Sequence, residues 1–189
     1  MLRPRSSALC ILACASLGSQ AQAPKSPSAK PATLTFQGTT FHLRWAKDGQ
    51  FEFTPAGQED LQKWSEMVTV WRYAGIKDGE GLARQANGTL NAYKGAQGRI
   101  LRTNSAPRTP SKPAEHFIAA FLGNASMVEF TAARFVLVDG QGAAVIYSRR
   151  AYGKPAKPDL GPWVSRHGAE VERRLMAFDP RPVLAALPR

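Results

Sequence analysis

Residues 67–73 carry apolar side chains on both sides of an extended chain: Val68 and Val70 point one way, while Thr69, Trp71 and Tyr73 point the other. A strand that is apolar on both faces belongs inside a sheet covered on both sides. The same two-sided pattern returns in residues 135–138 and 143–147, joined by the turn-forming Asp139-Gly140-Gln141-Gly142. These segments predict the interior of a sheet and demand further elements to cover it.

The rest of the chain supplies them. Strands are expected at residues 34–36 and 41–45, and Lys47-Asp48-Gly49-Gln50 turns the chain back into a strand at 51–54. Pro55-Ala56-Gly57 then breaks the pattern. Leu61, Trp64 and Val68 follow at helical spacing with Glu59 and Asp60 before them, which predicts a short amphipathic helix. Leu82, Ala86, Leu90 and Tyr93 predict a second helix, weakened by Gly81 and Gly88. Strands are expected at 99–103, 116–122 and 127–133. A last helix, capped by Asp159 and running to about Met176, shows the stripe Trp163, His167, Val171 and Leu175. Strands joined by short turns pair antiparallel, so the fold class is α+β: a mostly antiparallel sheet with helices on both faces, a three-layer α/β/α sandwich.

This order, with a tryptophan helix following an early hairpin, resembles the PsbP-like superfamily of three-layer sandwiches. The run Phe53-Thr54-Pro55-x-Gly57-Gln58 to Leu61-x-x-Trp64-x-x-Met67 resembles a group of secreted proteobacterial proteins. Neither resemblance brings a catalytic set that can be matched to residues here.

Arg3, Arg5, the apolar run 8–17 and the small-residue sequence Ser19-Gln20-Ala21-Gln22-Ala23 read as a secretory leader. Residues 1–21 are taken as the signal peptide with cleavage after Ala21, residues 22–33 as a flexible lead-in rich in proline, and 34–189 as a single domain. A competing reading treats Ile11-Leu12-Ala13-Cys14 as a lipoprotein box that leaves the protein tethered through Cys14. Both cysteines, Cys10 and Cys14, lie in the leader, so after cleavage at Ala21 the chain has no thiol for disulfides, nucleophilic catalysis or metal binding. The formal charge of +11 falls by the two of Arg3 and Arg5 to +9, which favours an acidic partner: a phosphate-bearing glycolipid or anionic lipid of the envelope, nucleic acid or an acidic protein.

Chemical motifs are sparse. His42, His116 and His167 form no metal-ligand spacing, Ser165-Arg166-His167 lacks a nucleophile elbow, and no glycine-rich phosphate loop is present. No cofactor or metal is expected. Trp64 and Trp71 suit an aromatic ligand box less well than they suit a core. Two proline- and lysine-rich loops, 104–114 and 153–162, are the remaining candidates. Around them lie Arg102, Arg108 and Lys112, and Arg149, Arg150, Lys154, Lys157 and Arg166, which would form a cationic rim for phosphate or carboxylate if the fold united the loops. The expected function is an exported, non-enzymatic binding or accessory module. The alternative from a different class is a hydrolase assembled from residues distant in sequence.

Overall fold

The computed structural model describes residues 32–110, 112–124, 126–153 and 160–188. The expected leader with Cys10, Cys14 and Ala21, the basic residues Lys154 and Lys157, and the expected cap at Asp159 lie outside these residues.

Among the described residues four strands come first: β1 (Thr33–Phe36), β2 (Thr39–Lys47), β3 (Gln50–Pro55) and β4 (Glu66–Tyr73). Helix α1 (Gly79–Gly95) leads to β5 (Arg99–Ala106), β6 (Glu115–Asn124), β7 (Met127–Val138) and β8 (Gln141–Tyr152), and the chain ends in α2 (Leu160–Ala177) and α3 (Arg181–Ala186). The strands form one sheet in the order β1-β2-β3-β4-β8-β7-β6-β5, antiparallel at every pairing. Two meanders therefore meet at β4 and β8, where the sequence is apolar on both sides. Helix α1 carries the chain from β4 to the far edge strand β5, packing on β5, β6 and β7 as it goes.

Turn chemistry fixes the registers. Asp48 and Gly49 have φ of 50° and 83°, and Asp139 and Gly140 have 49° and 74°, the left-handed pairs of tight two-residue hairpins. At Gly49 the backbone also approaches β4 closely: a Cβ there would stand 2.6 Å from the carbonyl oxygen of Arg72.

Alternation along the strands divides the core in two. Phe41, Phe53, Val68, Val70, Phe117, Phe130, Val145 and Tyr147 pack with Leu160, Val171 and Leu175 of α2 and Val183 of α3. Ile118, Ala120, Ala133, Phe135 and Ala144 pack with Leu82, Ala86 and Tyr93 of α1. Strand arginines secure the two C-terminal helices: Arg134 donates to the carbonyl oxygens of Leu175 (3.0 Å) and Phe178, and Arg72 donates to those of Leu184 (2.7 Å) and Pro188 (2.8 Å). Leu175 and Leu184 stand in the last turns of α2 and α3, where carbonyls run short of intrahelical donors, and Phe178 and Pro188 lie just beyond the helix ends. The guanidinium groups supply donors to all four, with the Phe178 amide also donating to Leu175 at 3.2 Å.

The helix expected around Leu61 and Trp64 does not form. The connection from β3 to β4 is short, and isolated short helices are marginal. Side chains satisfy its backbone instead: Gln58 Oε1 accepts from the amides of Ser65 (2.7 Å) and Glu66 (3.0 Å), and the Tyr152 hydroxyl donates to the carbonyl of Trp64 (3.0 Å). Trp64 is nonetheless buried, with the Arg150 guanidinium carbon 3.9 Å from the centre of its ring. Helix α3 is an addition to the expected order. Residues 127–138, which include two of the expected strand segments, run as the single strand β7.

Candidate functional site

A cavity of about 750 Å³ lies between α2 and the sheet. Its floor is Phe117 and Ala119 of β6 and Phe130 of β7, and Leu101 of the edge strand β5 closes one side. Its roof is the α2 stripe Val164, Gly168, Glu172 and Met176, four residues apart and so on one helix face, with Ala169, Arg173 and Ala177 beside it. The space exists because the helix presents glycine and alanine at the middle of that face. A Cβ built at Gly168 would meet only Val164 Cγ1, at 3.3 Å.

Polar groups gather on the β5 side of this otherwise apolar space. Arg102 Nε lies 2.6 Å from Glu172 Oε2, and Asn104 Nδ2 donates to Glu172 Oε1 at 2.9 Å. Asn104 is held in that orientation because its own Oδ1 accepts from the Ser105 amide at 2.8 Å. A β-bulge between Ile100 and Arg102 places Arg102 here: Ile100 pairs with Ala120 and packs against α1, whereas Arg102 pairs with Ala119 and lines the cavity. Arg173 forms a bidentate pair with Glu170 (2.6 and 2.7 Å), and that contact with Arg173 and Arg174 holds the Glu170 carboxyl below its ordinary range. Arg166 is exposed and stands seven residues before Arg173, close to the same side of α2.

Of the basic residues singled out in the sequence, Arg102 lines the cavity and Arg166 lies along its helix. Arg108 is exposed in the loop after β5. Lys112 Nζ lies 2.7 Å from the buried Glu115 Oε1. Arg149 and Arg150 sit on β8, three strand spacings or roughly 14 Å from β5, and face opposite ways. Arg149 pairs with Glu66 and its guanidinium carbon lies 4.6 Å from the ring centre of Trp163, while Arg150 pairs with Glu129 at 2.7 Å. The described members of the proposed cationic rim are therefore divided between the α2 cavity, the Pro-rich loop and two internal ion pairs.

The three histidines lie on β2, β6 and α2, and none lines the cavity. Ser105 Oγ is 3.0 Å from His116 Nδ1, but His116 Nε2 is buried with no hydrogen-bond partner among the described residues, and burial holds the imidazole below its ordinary pKa. Among the described residues no carboxylate bonds that ring, so the pair there lacks the third member of a nucleophile–base–orienter set. His167 packs on Trp163, ring centres 5.1 Å apart. Among the described residues no group of three His, Cys, Asp or Glu side chains could hold a metal ion, and no helix is long and apolar enough to cross a membrane. A second hollow of about 660 Å³ borders the stacked rings of Trp71 and Tyr73, but Arg72 there is bonded to the carbonyls of Leu184 in α3 and Pro188 beyond it.

A protein-family model matches residues 28–162. No curated protein matches the sequence. Among solved structures, a STAR-related lipid transfer protein from Xanthomonas axonopodis is 8% identical, the likeness covering 72% of this chain and 94% of that one with a TM-score of 0.30. Human STARD10 is 7% identical, with 78% and 82% covered and a TM-score of 0.31. The resemblance to the PsbP-like superfamily is corrected by these findings, none of which points to it. The tryptophan helix on which it stood is absent, since Trp64 lies in a side-chain-bonded loop.

Proposed function

We propose that this chain, which belongs to the family matched over residues 28–162, is a non-catalytic binding module for an amphipathic molecule with an anionic group. The apolar part lies between α2 and the sheet, and the anion sits at the β5 side against Arg102, with Arg173 and Arg166 contributing positive field. One observation carries this reading: an apolar cavity of about 750 Å³ whose few polar groups converge on one side. Ligand sites are built that way, within roughly 300–1,000 Å³. The net positive charge of the chain, +11 in all, adds long-range attraction for an acidic ligand or surface. In the same proposal α1 and α2 cover opposite faces of the sheet as a three-layer sandwich, and the leader at residues 1–21 exports the protein to the envelope. Lipid transfer is the activity named for the Xanthomonas structure, and a TM-score of 0.30 carries none of it to this chain.

Calorimetric titration with dodecanoate tests the site. Binding with a negative heat-capacity change is the expected signature of apolar burial. Gly168→Leu should abolish it by filling the cavity, with Val164 Cγ1, 3.3 Å from the new Cβ, shifting by a few tenths of an ångström, and a thermal melt checks that the variant is folded. Failure of the protein to bind dodecanoate, or binding that Gly168→Leu leaves untouched, would refute the proposal. Mass spectrometry of the mature N-terminus tests export: Gln22 indicates a free protein, and an acylated Cys14 a tethered one.

A further inference from the structure

We propose that Glu172 is an internal competitor for the ligand's anion: it latches α2 to β5 across the cavity until an incoming carboxylate takes its place on Arg102. The inference rests on the reading of the cavity as a binding site.

Glu172 is the one charged member of the α2 stripe Val164, Gly168, Glu172 and Met176. Its side chain is only 13% exposed, so its charge requires compensation. Both carboxylate oxygens receive it from one strand, Oε2 from Arg102 Nε at 2.6 Å and Oε1 from Asn104 Nδ2 at 2.9 Å. The two contacts tie the helix to the edge strand over the cavity. They also leave a guanidinium and an amide converging on a single carboxylate, the donor set that a ligand carboxylate would need. The two partners differ in access: the Arg102 side chain is 60% exposed against 13% for Glu172. An anion arriving from solvent thus meets the exposed guanidinium of Arg102 first, and exchange follows as its apolar tail enters. The arginines next along the helix, Arg173 and Arg174, are bonded to Glu170 and do not hold Glu172.

The test compares dodecanoate with uncharged 1-dodecanol, titrated into the wild-type protein, Glu172→Gln and Arg102→Gln, with thermal melts confirming that each variant is folded. Removing the competing charge should tighten dodecanoate binding by roughly three- to tenfold, the worth of a partly exposed ion pair and its hydrogen bond, and leave dodecanol binding unchanged. Arg102→Gln should remove the preference for dodecanoate. If Glu172→Gln binds dodecanoate equally or more weakly, or tightens both ligands alike, the latch is wrong and the cavity reading stands. If neither ligand binds any of the three proteins, the cavity reading fails and the latch with it.

Discussion

Arg134 Nε lies 2.7 Å from Glu115 Oε2, with the two side chains 5% and 0% exposed, so adjacent strands β6 and β7 share a buried ion pair. The same guanidinium donates through Nη1 to the carbonyl oxygens of Leu175 and Phe178, at and just beyond the end of α2. Truncating Arg134 therefore leaves the buried Glu115 carboxylate with only the half-exposed Lys112 as a partner and removes the donor to the end of the helix that roofs the cavity. Arg134→Ala should cost about 3–5 kcal/mol in chemical denaturation. The double replacement Glu115→Met with Arg134→Met should cost less than the single truncation, because no unpaired charge remains in the interior.

The same pair makes stability depend on acid. Burial alone would raise the Glu115 carboxyl, but hydrogen bonds from Arg134 and Lys112 and their charges outweigh it and hold the group below its ordinary range. A depressed folded-state value means that the contribution is fully present above the unfolded pKa, about 4.3, and is lost as pH falls through the folded value. Denaturant midpoints measured from pH 6 down to pH 2 should fall in the wild-type protein, and the slope should flatten in Glu115→Gln.

Trp64 is 4% exposed and lies beneath the Arg150 guanidinium, which is itself paired with Glu129. Trp64→Ala removes a buried aromatic ring and the surface on which Arg150 rests, at a cost of about 3–5 kcal/mol. The melting temperature should drop by about 6–20 °C. An unchanged melt would show that the ring does not support the core.

The sheet was legible because its information is local. Val68 and Val70 against Trp71 and Tyr73 identify an interior strand, and Asp48-Gly49 and Asp139-Gly140 announce their own turns. The loop around Trp64 was not, since helical spacing there competes with bonds from Gln58 and Tyr152, and Tyr152 lies 88 residues away from Trp64. The cavity was only half visible. Gly168 and Ala169 mark a thin place on α2, but Arg102 reaches the cavity through a bulge that interrupts strand alternation, and a period of two would have sent it to the α1 side with Ile100. Charge sequence also misled at Arg149 and Arg150, whose cross-strand carboxylates Glu66 and Glu129 become neighbours only in the folded sheet.

Alkali should expose the interior in the opposite sense from acid. Burial, followed by the charge of nearby Glu129, pushes the Tyr93 hydroxyl up to about 12 against the hydrogen bond it shares with Thr131. Burial, with Glu66 next in weight, pushes Tyr147 up to about 12 as well. Each raised value contributes stability that is complete below the unfolded pKa, about 10, and is lost as pH climbs toward 12. Both residues anchor core clusters, Tyr93 on the buried face of α1 and Tyr147 on β8 in the cluster beneath α2, so their ionisation should coincide with unfolding. An ultraviolet titration should show no tyrosinate signal from Tyr93 or Tyr147 at pH 10, assigned by comparison with the Tyr93→Phe and Tyr147→Phe variants. Their signal should then appear together with the loss of near-ultraviolet circular dichroism between pH 10 and 12. Smooth ionisation of either hydroxyl at pH 10 in a folded protein would place that ring in contact with water.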